Sequence, residues 1–99
     1  MASTYRLHAL AKKELIDAVD WYENERKGRG AKFFIAYLKT INIVLSNPYA
    51  FPIDFDEVRK TYIPKFPYTI FYEVVGQDVF IYSVFHQKRE PDVWKDRTI

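Results

Sequence analysis

FPYTIFYEVVGQDVFIYSVFHQKR, residues 66–89, places two runs rich in Val, Ile, Tyr and Phe on either side of Gly76-Gln77. β-Branched and aromatic side chains suit a pleated, half-buried surface, and a two-residue spacer containing glycine suits a tight hairpin. Residues 68–75 and 79–86 are therefore predicted to be neighbouring antiparallel strands. A further run, residues 58–63, precedes them. Pro64 and Pro67 bracket Lys65-Phe66, and proline has no N–H for a ladder, so this connection should lie outside the sheet. Residues 49–57, with Pro52 and three acidic side chains, read as a loop. Near the N-terminus, Tyr5-Arg6-Leu7 alternates apolar and polar side chains, as a brief first strand would.

Between that strand and the loop the period changes to a helical one. Ala11, Leu15, Ala18, Val19 and Tyr22 share one stripe at 100° per residue, with Lys13, Asp17, Asp20 and Asn24 opposite. The helix starts at about Leu10 without a good N-cap, because His8 and Ala9 are poor acceptors, and ends near Lys27-Gly28, where glycine suits a left-handed position. A second helix covers residues 30–46 and stops ahead of Asn47-Pro48. Its main stripe is Ala31, Phe34, Ile35, Leu38, Ile41 and Leu45, and Phe33, Tyr37 and Val44 form a second apolar flank. The flank fits a helix wedged between its partner and the sheet, or a face that meets another chain. The short link makes the two helices an antiparallel hairpin. The fold class is thus α+β, a two-helix hairpin on a small, mainly antiparallel sheet in the order β-α-α-β-β-β. The tail, residues 91–99, is expected to form a turn of helix with Trp94 packing back, or to fray.

Composition narrows the chemistry. Ninety-nine residues, 48% of them hydrophobic, fit one domain over residues 1–99. With no cysteine there is no disulfide, thiolate nucleophile or Cys-based zinc site, and His8 and His86 have no metal-ligand spacing, so neither a metal nor a cofactor is expected. No signal-like segment and no run long enough to span a bilayer is present, which implies a cytoplasmic protein with no membrane role. The net charge of +2 permits nucleic-acid contact without requiring it. Residues 1–47 hold eight basic and five acidic groups and residues 48–99 hold seven and eight, so an anion-binding surface must come from local clusters.

Val58-Arg59-Lys60, the stretch Phe66 through Val74, and Val79 through Arg89 together resemble the sheet signature of the RelE/ParE superfamily of toxins. Ala11, Leu15, Ile16, Trp21-Tyr22, Ala31, Leu38 and Pro48 are similar to that family's helix hairpin. The resemblance covers almost the whole chain. It implies the toxin of a type II toxin–antitoxin, plasmid-stabilisation-like pair, which arrests bacterial growth and is silenced by a cognate antitoxin in a hetero-oligomer. Two activities occur in that superfamily: inhibition of DNA gyrase by binding, and metal-independent cleavage of messenger RNA on the ribosome. An inactive relative that serves as a protein-interaction module is a third reading.

For the nuclease, attack by the RNA 2′-OH needs a base, an acid and cations on the phosphate. His86 can move a proton near neutrality, Arg59, Lys65 and Arg89 can hold a phosphate, and Tyr72 or Tyr68 can stack or donate. Strict alternation would put His86 on one face with Val84, Tyr82 and Phe80, and Arg59 on the face opposite Val58. Arg26, Lys27, Arg29 and Lys32 crowd the helix turn, as a solvated tip or a docking patch. The modest charge, with Glu73 and Glu90 near the candidates, favours gyrase inhibition, whereas His86 with Lys88-Arg89 favours the nuclease.

Overall fold

The computed structural model describes Ala2, residues 4–88 and residues 95–97. Strand β1 (Thr4–Leu7) leads into helices α1 (Ala9–Glu25) and α2 (Arg29–Ser46), followed by strands β2 (Ile53–Phe55), β3 (Val58–Tyr62), β4 (Tyr68–Val75) and β5 (Asp78–His86). The sheet order is β1-β5-β4-β3-β2, antiparallel throughout except for β1, which lies parallel to β5. This is the expected α+β fold with one addition. The segment read as a loop contains β2, which pairs with β3 across a two-residue turn where Asp56 takes a left-handed φ of 50°. Three exposed residues are too few to show a strand period.

The hairpin of β4 and β5 turns at Gly76 (φ 63°), the first central residue of a two-residue loop, where such turns place glycine. Opposite Phe71 and Tyr72, β5 supplies Ser83 and Ile81, so Tyr82 is one residue in excess. Because side chains alternate with a period of two, one extra residue exchanges the faces of everything beyond it. Val79, Ile81 and Val84 therefore join the helix-side core, while Phe80, Tyr82 and Phe85 pack with Val58 and Phe71 on the other face. The expectation that His86 shares a face with Tyr82 and Phe80 is corrected by this bulge. His86 lies opposite Tyr68, a helix-side residue, and its ring meets the Tyr68 ring edge-on at 5.1 Å.

Helix α1 buries Ala11, Leu15, Ala18 and Tyr22, as its stripe requires. Its start is better capped than expected, since His8 Nδ1 accepts the Leu10 N–H at 3.1 Å. Gly28 is left-handed at φ 87° and stands at the N-cap of α2. There the Glu23 carboxylate accepts N–H groups from Gly28 and Gly30, placing negative charge at the positive end of α2.

The rotation of α2 differs from expectation. Phe33, Tyr37, Thr40, Ile41 and Val44 are buried, while Phe34, Ile35 and Leu38 are 40%, 51% and 37% exposed. The cause is Gly30, the head of the inward row 30, 33, 37, 40 and 44. A Cβ there would stand 2.6 Å from the Val19 carbonyl oxygen, so the missing side chain lets the helices cross closely and turns this row to the core. An aromatic nest locks the arrangement: Phe33 lies 5.1 Å from Tyr22, 5.1 Å from Phe66 and 5.0 Å from Tyr68.

Candidate functional site

The residues proposed for RNA cleavage fall in separate places. Arg59, on β3, projects to the helix side, opposite Val58, as expected. Its Nη1 donates to the carbonyl oxygens of Phe51 at 2.7 Å and Tyr49 at 3.2 Å, and its guanidinium lies 5.2 Å from the centre of the Tyr49 ring. Tyr72, its partner across β4, is fully buried and donates its hydroxyl proton to the Pro48 carbonyl at 2.6 Å. Burial pushes the Tyr72 phenol up to about 12, against a smaller opposing pull from Arg59. Together they hold the segment between α2 and β2 against the sheet.

His86 is elsewhere. It sits opposite Tyr68, four residues along β4 from Tyr72, which with the strand spacing puts the His86 and Arg59 backbones roughly 16 Å apart. Its Nδ1 accepts the Lys88 N–H at 3.1 Å, closing the turn after β5. Lys65 lies at the β3–β4 turn with a left-handed φ of 70°. Arg89, like Glu90 and Trp94, lies outside the described residues. Glu73 is bonded to the Tyr82 hydroxyl on the face away from the helices.

Two clefts flank α1 and α2. One, of about 350 Å³, opens beside the end of β5 and is lined by Glu14, Asp17, Trp21, Tyr68, Val84 and His86. Its floor is built because β1 stops at Leu7 while β5 runs on to His86. Glu14 accepts from the Ser83 hydroxyl at 2.9 Å and the Val84 N–H at 3.2 Å. Arg97 donates to the Tyr82 carbonyl at 2.8 Å and makes two bonds of 2.9 Å to the Glu14 carboxylate. The other cleft, of about 560 Å³, runs between α2 and the β3–β4 turn and is lined by Arg29, Lys32, Lys39 and Lys65 over Ile35, Ala36, Ile43, Pro64 and Phe66. Arg29 is held over the Tyr22 and Phe66 rings, 5.3 and 5.4 Å from their centres. Part of the cationic helix tip is thus packed in place.

Sequence reasoning missed Glu14 and Arg97. They are 83 residues apart, and no spacing rule joins them. It singled out the helix tip without seeing that Lys39 and Lys65 extend it into a groove. Among the described residues no helix is long and apolar enough to cross a membrane, and no group of three His, Asp or Glu could hold a metal.

The family model that describes the ParE toxin of type II toxin–antitoxin system, parDE, matches residues 5–91. A solved structure described as the chromosomal ParDE TA system from P. aeruginosa superposes with a TM-score of 0.73 at 18% identity, over 87% of this chain and 96% of that chain. At that identity the superposition speaks for the fold, and no curated protein sequence matches. The fold accordingly has a counterpart in a solved toxin–antitoxin system, and with a family model matched over nearly its full length the chain belongs to the ParE toxins of type II toxin–antitoxin systems.

Proposed function

We propose that this toxin arrests growth by binding DNA gyrase in the bacterial cytoplasm, not by cutting RNA, and that a cognate antitoxin silences it. The observation that carries the reading is the employment of Arg59 and Tyr72. Both spend their polar groups on backbone carbonyls of residues 48–51, and both stand far along the sheet from His86. In-line cleavage needs acid, base and cation within hydrogen-bonding reach of one phosphate. A toxin that works by binding needs only surface, and α1 and α2 present Trp21, Phe34, Ile35 and Ile43, each at least 40% exposed.

The test induces the chain in a bacterium lacking its antitoxin and follows DNA and protein synthesis separately. Gyrase-linked DNA breaks with replication stopping first support the proposal, and His86→Ala should keep the toxicity. A first fall in translation with cut messages, lost by a hundredfold or more in His86→Ala, would establish the nuclease instead.

A further inference from the structure

We infer that the groove between α2 and the β3–β4 turn binds an organic polyphosphate that carries one flat apolar group, a nucleoside triphosphate. The site is independent of the toxin reading above, because its ligand is a small molecule and its affinity is measured on the purified chain.

Four cations and no carboxylate line this groove among the described residues. Lys32, Lys39 and Lys65 form no ion pair there, and the rings of Tyr22 and Phe66 fix the direction of Arg29. In a chain of net charge +2 this is a strong local excess, and like charges held together repel until an anion joins them. A single phosphate is too small to do so. Arg29, Lys32 and Lys39 are spread over about 15 Å of α2, with Lys65 on the facing wall, so a row of phosphates fits where a lone ion does not.

The shape of the groove suits a small ligand. Its volume of about 560 Å³ lies within the range of about 300–1,000 Å³ typical of small-molecule sites. Its walls are tied together, because Phe66, next to Lys65, packs on Phe33 of α2 at 5.1 Å. Charge is only part of what it offers, for Ile35 and Ile43 are 51% and 56% exposed within it. Ile43 stands beyond Lys39 along α2, so a base laid on it would trail its phosphates toward Lys32 and Arg29. A run of stacked bases is less well served, since Phe66, the aromatic side chain of the lining, already carries Arg29 on its face. With no carboxylate or histidine in the lining, no side chain there takes a proton from water, so the site binds a nucleotide without hydrolysing it. On the far wall, Lys65 keeps a left-handed φ of 70° that glycine would adopt without strain. Such a conformation at a lysine is a cost to the fold, of the kind found where side-chain placement serves binding.

Binding of radiolabelled ATP to the full chain is followed by equilibrium dialysis at low salt without divalent ions, beside inorganic tripolyphosphate. ATP should bind the more tightly of the two, because tripolyphosphate carries no less charge but leaves the isoleucines wet. Ile43→Ser should weaken ATP by about threefold or more and leave tripolyphosphate unchanged. Lys65→Gly removes one cation while relieving the backbone, so it should weaken both ligands by about threefold or more without lowering the urea midpoint. A loss of affinity in that variant cannot come from misfolding. Four results would each overturn the inference: no retention of ATP at millimolar concentration, tripolyphosphate binding as tightly as ATP, an unaltered affinity in Lys65→Gly, or displacement of ATP by a single-stranded oligonucleotide at equal or lower phosphate concentration. The last would make the groove a track for nucleic acid.

Discussion

A methyl group on residue 30 would stand 2.6 Å from the Val19 carbonyl oxygen and 3.0 Å from Glu23 Cβ, on the helix that supplies the capping carboxylate. Alanine is the better helix former by about 1 kcal/mol, but the neighbouring backbone cannot swing aside as a side-chain tip can. Overpacking of this kind costs about 1–3 kcal/mol, so Gly30→Ala should lower the urea midpoint despite its propensity gain. Two tyrosines test the polar side of the core. Tyr72 donates to Pro48, and Tyr72→Phe strands a buried carbonyl, at about 1–3 kcal/mol. The Tyr37 hydroxyl is equally buried but has no partner of good hydrogen-bond geometry among the described residues, although the Tyr5 phenol is near enough to help burial raise its pKa. Tyr37→Phe should therefore be neutral or stabilising. Equal losses in the two variants would refute this division of roles.

Elements were legible in the sequence where one local rule decided them. The hairpin at Gly76-Gln77, the prolines around Lys65 and the stripe of α1 each depend on neighbours in the chain, and each stands where it was expected. The facing of α2 was not legible, because both its apolar rows have helical period. A glycine and a threonine, weak hydrophobic signals, belong to the row that packs. The bulge at Tyr82 was equally hidden, since nothing in an unbroken run of β-formers announces an extra residue. As for the candidate site, residue types allowed a nuclease, and only register shows Arg59 and His86 apart. The bond between Glu14 and Arg97 is tertiary in the same sense and yields a prediction about the open edge of β5. Their side chains are 15% and 8% exposed, and Arg97 Nε has no partner among the described residues. Arg97→Ala takes the cation from a part-buried carboxylate that keeps only the Ser83 hydroxyl and the Val84 N–H, and should cost about 1–3 kcal/mol, while Glu14→Leu with Arg97→Met should recover much of the loss. Urea titrations of the single and double variants make the comparison, and a double variant as weak as the single one would contradict it.

At the scale of the whole molecule, three buried tyrosines, Tyr37, Tyr72 and Tyr82, couple stability to alkali. Burial, the largest cause, holds Tyr72 and Tyr82 at about 12, and Glu73 reinforces the effect at Tyr82. Tyr37 is raised further by burial and Tyr5. In the open chain a phenol titrates near about 10, so each of these groups binds its proton more tightly when folded. A raised acid of this kind contributes its full share of stability below the unfolded value and loses it as pH climbs through the folded one. The unfolding free energy should thus hold steady up to about pH 10 and fall steeply between about 10 and 12. Tyr82→Phe removes one of the linked protons and should make the fall shallower, whatever its effect at neutral pH. The measurement is a series of urea titrations at stepped pH, with phenolate absorbance recorded beside circular dichroism. The buried phenols should ionise together with the loss of helix signal. If they ionise near pH 10 while the dichroism stays intact, the helix-side core is open to hydroxide and the packing described for Tyr37 and Tyr72 is wrong.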